Sequence, residues 1–264
     1  MKKDLVHISI FLVVFLVLWQ VVQDSVSTAR MADGLTGLNS FVPTPKIIFE
    51  TFVNQGGMIV REMFETLHKA LLGLFFGGIF ALAMSILFLV VTSMRRVLFP
   101  VFLAVNSFPI IGFAPAIILA FGQGSFASIV FIAGLISYFP ILIHLDAAFR
   151  NTDRELIECA QVMGARKRQI IQKIILPLAV PSVFSAMKLA IPASIIGATI
   201  GEWLGSRTGV GQLITVSLYQ LKPGLMYASL LLITLVSVTL IIILSLLEKK
   251  FVPWQQTIDD KNNV

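Results

Sequence analysis

Long uncharged apolar runs constrain this chain more than any other feature. Ala70 to Val91 and Met226 to Leu247 each hold 22 residues without a single charge, and about 20 such residues cross a hydrocarbon core of about 30 Å as an α-helix. Ile8 to Val22 is a shorter run, Leu98 to Phe121, Phe126 to Leu145 and Pro181 to Gly201 complete the series, and the expectation is six transmembrane helices. Composition agrees, with 57% hydrophobic and 13% charged residues where soluble domains carry about a quarter charged. The chain reads as an all-α integral membrane protein.

The formal charge of +6 does not point to nucleic acid, because the basic residues gather at span ends and no basic, aromatic-interleaved soluble face exists to track phosphates. They report topology instead. Lys2, Lys3, Arg95, Arg96, Arg150, Arg154, Arg166, Lys167, Arg168, Lys173, Lys249, Lys250 and Lys261 make thirteen of the 20 basic residues and fall on one side of the six-span arrangement. The positive-inside tendency makes that side cytoplasmic, with both termini inside. Lys188 is the one cation placed within a span.

Two readings stand for the first run: an uncleaved anchor, or a signal peptide cut near Ser27-Thr28-Ala29. Either one exports the residues beyond it. Residues 23–58, with Pro43, Pro45 and Gly56-Gly57, have the composition of an external loop. Gly73, Gly77, Ala81 and Ser85 fall four apart, as do Ser182, Ala186, Ala190, Ser194 and Ala198, rows that let neighbouring helices approach closely. Asn106, Pro109, Gly112 and Pro115 interrupt one span. Each interior proline removes a backbone hydrogen bond, and freed carbonyls at membrane depth are tolerated where they face protein or a watery cavity. Asn106, Pro109 and Pro115 are therefore candidates to line a pathway, with a kinked packing helix as the alternative.

Lys188 and Glu202 are costly within or beside spans. Lys188 either snorkels toward the cytoplasmic loop or lines the route of an anionic substrate, and Pro192 should free its carbonyl. Glu202-Trp203 opens a glycine-rich stretch, 202–224, expected outside.

Asn151 to Pro177 is charged and sits between spans. Leu156, Ala160 and Met163 recur at helical spacing, as do Ile170, Ile171, Ile174 and Ile175, so two short amphipathic helices are expected. Gly164 between them can take the left-handed conformation that ends the first, and Pro177 should end the second within a turn. A soluble partner could dock here; an interfacial helix on anionic lipid is the alternative. Cys159, alone in the chain, excludes an intrachain disulfide and reads as packing.

Glu158-Cys159-Ala160, three residues, Gly164-Ala165 and the later Leu176-Pro177 resemble the cytoplasmic EAA loop of ABC-importer permeases, Cys159 replacing an alanine. Pro181, and Glu202 followed by Gly209, Gly211, Leu213 and Ile214, extend the likeness. From about Thr66 to Leu247 the chain resembles permeases of the nitrate, sulfonate, taurine and thiamine-precursor import group. That resemblance implies a type I (MetI-like) permease fold in a bacterial inner membrane. The chain then divides into a first helix and external loop (1–65), a permease core (66–250) containing the coupling loop 151–177, and a cytoplasmic tail (251–264).

It also implies partners: two ABC ATPase subunits gripping a loop that carries Glu158, Ala160, Gly164, Ala165, Leu176 and Pro177, a second permease copy, and an external binding protein. No cofactor is expected, and ATP would be bound by the ATPase, since no Gly-Lys-Ser/Thr ending of a P-loop occurs in the chain. His7, His68 and His144 are scattered and no Gly-x-Ser-x-Gly elbow occurs, so no enzyme is expected. A channel or secondary transporter is the alternative. Asn106, Pro109, Pro115, Lys188, Pro192, Glu202, Trp203, Gly209, Gly211 and Leu213 are the candidates for pathway or gate. Leu213 enters because an apolar patch in an external loop needs a partner, which in a homodimer is its twin.

Overall fold

The computed structural model describes residues 17–22, 42–122 and 124–252, and their regular structure is helical throughout. Most of the first apolar run and nearly all of the tail lie outside these residues. Among the described residues four helices are long and apolar enough to cross a membrane, or five where a bent pair is counted as one span.

Helix α1, Pro45–Val90, is 46 residues long, about 69 Å at 1.5 Å per residue. It starts where Thr44 caps it, its Oγ1 accepting from Ile47 N at 3.4 Å, and Pro45 takes the first turn, where a missing N–H costs nothing. The external loop expected over 23–58 is therefore helix from residue 45 onward. Two glycines at 56 and 57 cost about 1 kcal/mol each in a helix, but Ile48 and Ile59 are buried against Leu213, Leu225 and Ala228, and that packing outweighs the local penalty.

Helix α4, Phe126–Arg150, is the centre of the bundle, pressed between α1 and the long helix α7, Leu176–Gly205. The small-residue rows make this possible. A Cβ on Gly77 would lie 2.6 Å from Gly134 O, one on Gly73 would lie 2.5 Å from Ala133 Cβ, and one on Gly197 would lie 2.8 Å from Ala133 Cα. Ala81, Ser85, Ala186, Ala190, Ser194 and Ala198 are buried along the same seams, and Ser182 is half-buried.

The proline-interrupted span divides into α2, Thr92–Ser107, and α3, Ile110–Phe121, which meet at 98°. Proline at 109 cannot donate to a continuing helix, so the chain turns there. A guanidinium fork fastens α2 to α4: Arg95 Nε and Nη2 donate to the two Asp146 oxygens at 2.7 and 2.8 Å. Phe102 rests edge-on against Phe80 and Tyr138.

After α5, Arg154–Val162, and α6, Lys167–Ile170, the chain does not stop at Pro177 as expected. A π-turn, Ile171–Ile175, leads into α7. Proline cannot donate to the carbonyl four residues back, and the wider turn, closed by Leu176 N on Ile171 O, lets the helix continue through it. Pro181 and Pro192 are likewise carried inside α7. Most of the stretch expected as an external loop over 202–224 is helical too: α7 runs to Gly205, and α8, Val210–Tyr219, packs on α9, Pro223–Phe251.

Candidate functional site

The loop between α4 and α7 is built by local rules. Asp153 caps α5, its Oδ1 accepting from Glu155 N at 2.9 Å, and Arg154 pairs with Glu158 one turn on at 2.8 Å. At the other end Gly164 has φ +82°. Gly164 N donates to Gln161 O and Ala165 N to Ala160 O, both at 2.9 Å, the paired bonds of a Schellman cap. The cap turns the chain back so that Ala160 and Ala165 rest on the core while Val162 and Met163 stand 90% and 87% exposed. Leu176 and Pro177 open α7 directly behind. The first short helix and the left-handed glycine are as the sequence suggests, while the second helix runs on through the π-turn into α7 as one 39-residue span.

Lys167 Nζ donates to Val90 O at 3.0 Å, closing a carbonyl left open at the end of α1. This contact and the Arg95–Asp146 fork place the end of α1, the start of α2, the end of α4 and the loop on one side of the bundle. An open groove of about 630 Å³ lies there, bordered by His144, Asn151, Asp153, Leu156 and Ser182.

At the opposite end of α7, Glu202 is fully buried. Lys69 Nζ donates to its Oε1 at 2.8 Å, Thr66 Oγ1 to its Oε2 at 2.7 Å and Gly211 N to Oε2 at 3.1 Å. Lys69 also reaches Thr208 O at 3.3 Å. The two preceding amides of the α8 N-terminus are taken by α1, Gly209 N by Glu62 Oε2 at 2.6 Å and Val210 N by Thr66 Oγ1 at 2.8 Å. Two carboxylates thus sit on the positive end of a helix. The spacing from Glu202 to Gly209 and Gly211 acquires a reason: a Cβ on Gly209 would lie 2.1 Å from the Glu202 carboxyl, and one on Gly211 would lie 2.2 Å from Thr199 O.

The proposed pathway residues fall into three places. Asn106, Pro109 and Pro115 are exposed around the α2–α3 bend. Glu202, Gly209 and Gly211 form the buried network, with Trp203 half exposed beside it, and Leu213 is 6% exposed within its own chain's cluster of Ile48, Ile59, Leu225 and Ala228. Its apolar side chain already has a partner, which removes the reason for pairing it with a twin. Lys188 and Pro192 lie farther back on α7, and Lys188 pairs with Glu248 of α9.

Lys69, Thr66 and Glu62 are not among the residues singled out from the sequence. The signal is their spacing, since 62, 66 and 69 share one helical face. Lys69 and Lys188, the cations on the apolar stretches of the long helices among the described residues, are each neutralised by a carboxylate.

A bundle of long apolar helices around a small-residue core, with an exposed capped loop on one side, defines a multi-pass membrane protein. Residues 73–256 match the model for the binding-protein-dependent transport system inner membrane component, and the chain belongs to that family. It is 31% identical over 224 residues to a riboflavin transport system permease protein of Chloroflexus aurantiacus, covering 84% of this chain and 83% of the relative. It is 26% identical over 249 residues to a formylaminopyrimidine transport permease protein of Halalkalibacterium halodurans, covering 94% and 95%. A chain of the MetNI methionine ABC transporter shares the fold at TM-score 0.63 and 20% identity, over 76% of this chain and 97% of that one.

Proposed function

We infer that two copies of this chain form the translocation pathway of an ATP-driven importer, and that its substrate is an uncharged, planar nitrogen heterocycle handed over by an external binding protein. ATPase subunits on the cytoplasmic side grip the 151–177 loop and supply the work. The exposed Val162 and Met163 at a rigid capped tip support this, because apolar side chains held in water by a fixed turn favour a protein partner over solvent.

One observation carries the substrate class: neither Lys69 nor Lys188 is free. An anion such as nitrate, taurine or another sulfonate moving at membrane depth would need a cation to replace water, and these two are already committed. Lys188 accordingly anchors α7 to α9 and does not line an anion route. Riboflavin and formylaminopyrimidine, which name the two relatives, are both flat, uncharged nitrogen heterocycles, and the same class fits this chain.

The test is uptake into vesicles holding the permease, its ATPase and its binding protein. ATP-dependent uptake of riboflavin or a formylaminopyrimidine above taurine and nitrate is expected. Preferential taurine or nitrate uptake would overturn the substrate class. Uptake that follows an ion gradient with no ATPase bound would establish a secondary transporter instead.

A further inference from the structure

We propose that the bend between α2 and α3 reads the transported heterocycle, the Asn106 amide bonding its polar edge and the edge-to-face Phe108–Phe113 pair lying against one of its faces. This rests on the heterocyclic substrate class inferred for the permease and gives that substrate a place and a set of contacts.

The depth is right. Asn106 lies eleven residues beyond Arg95 on α2, about 17 Å along the helix, and Arg95 is tied to the level of Asp146 near the end of α4. From the bend, α3 leads to the far side, where Ile118 meets Gly205 at the end of α7. With the two helices at 98°, the bend lies between the Arg95 level on one side and the Gly205 level on the other, within a hydrocarbon core of about 30 Å.

Lipid cannot cover it. Phe108 N bonds Val105 O at 3.2 Å and not Ala104 O, and Pro109 has no N–H to offer, so the Ala104 carbonyl loses its helical donor. The Asn106 amide, with two donors and an acceptor, bonds no described residue. Polar groups open in this way at membrane depth must face water, protein or a polar ligand. Nothing among the described residues shields them: α2 has no buried residue, and Phe108 and Phe113 are 65% and 53% exposed.

The chemistry selects the occupant. Between residues 97 and 121 there is no charged side chain, and Asn106 and Ser107 are the only polar ones. Ser107 Oγ is spent on Leu103 O at 2.9 Å. What remains is an amide, a carbonyl without its i+4 donor and two aromatic rings 5.9 Å apart at 76°. An anion would meet a carbonyl dipole with no counter-charge. A twin bend across a two-fold axis would set carbonyl against carbonyl. A flat ring whose edge carries both N–H and C=O groups meets the amide as donor and acceptor at once and presents one face to the aromatic pair.

The experiment places cysteine at Asn106 on a Cys159→Ser background in the assembled importer, with a Leu119 cysteine as the lipid-facing control. A membrane-impermeant thiol reagent should modify position 106 in at least one nucleotide state, with riboflavin or a formylaminopyrimidine, delivered on the binding protein, slowing the reaction. Position 119 should not react. In uptake assays Asn106→Ala should raise KM roughly threefold to tenfold, the loss of about one hydrogen bond, with a larger change in KM than in maximal rate and partial recovery in Asn106→Gln. Absence of labelling in every state, or a disulfide between two copies at position 106, makes the bend a subunit contact and overturns the proposal. Labelling blocked by taurine and not by either heterocycle retains the bend as pathway but refutes the heterocyclic substrate.

Discussion

Removing the Lys69 charge is the sharpest test of the buried network. Lys69→Met leaves the Glu202 carboxylate fully buried with the Thr66 hydroxyl and the Gly211 amide as its donors, and breaking a buried pair from one side costs about 3 to 5 kcal/mol. Glu202→Gln strands the Lys69 ammonium, whose other bonds, to Thr208 O and Oγ1 at 3.3 and 3.4 Å, are long. A loss of similar size is expected. The double variant Lys69→Met/Glu202→Gln leaves neither charge stranded and should recover about 1 to 3 kcal/mol relative to the sum of the singles. The reversed pair, Lys69→Glu/Glu202→Lys, should not recover, because Gly211 N–H needs an acceptor at position 202 and an ammonium has none to give. Denaturant unfolding of the detergent-solubilised permease followed by tryptophan fluorescence reads these differences, since Trp203 adjoins the network. Recovery of full stability by the reversed pair would reduce the network to a simple ion pair. Strict additivity of the two single variants would show that the charges do not act together.

Gly164→Leu forces a side chain into φ +82°, with nothing within 4 Å of its Cβ to clash, so the cost is backbone strain alone, about 1 to 2 kcal/mol; membrane insertion should survive while ATPase retention on purification, or coupling of hydrolysis to uptake, is lost. Gly134→Leu should act differently, splitting α1 from α4 where the added Cβ would lie 3.1 Å from Gly73 O and lowering stability by about 1 to 3 kcal/mol, read as a lower melting temperature in detergent. Lys188→Met should impair folding more than Lys188→Met/Glu248→Gln does, the single variant leaving a half-buried carboxylate alone; equal yields of folded protein from the two would show that the pair is not coupled.

Much of the loop was legible because its geometry is local. The turn at Gly164 and the amphipathic spacing either side depend on residues within a few positions of one another, although the Asp153 cap, equally local, was not read. The helix seams were legible for a similar reason, since a four-residue row of small side chains has one use in a membrane. The outer network was not. Lys69 and Glu202 are 133 positions apart, and neither alone announces a partner. The helix over 45–58 was obscured by Gly56 and Gly57, whose local preference is overruled by packing of Ile48 and Ile59 on α8 and α9. Pro177 misled because a proline usually ends a helix, while here the π-turn before it absorbs the missing bond.

The position of the network gives the loop something to push against. Helix α7 runs unbroken from Leu176, directly behind the loop, to Gly205, about 45 Å away, and Glu202 near its far end is bonded both to α1 and to the start of α8. Lys167 ties the loop to the near end of α1 at Val90, and Thr66 and Lys69, near the middle of α1, tie that helix to the far end of α7, while the glycine seams with α4 lie between. A displacement applied to the loop must therefore either carry α1, α7 and the N-terminus of α8 together or break a buried charge pair. Breaking it costs about 3 to 5 kcal/mol. The α2–α3 unit is fastened differently, through one guanidinium fork and a set of edge-on aromatic contacts, and its bend is uncovered. We therefore expect the boundary that moves during import to lie along α2 and α3 and not through the Glu202 network.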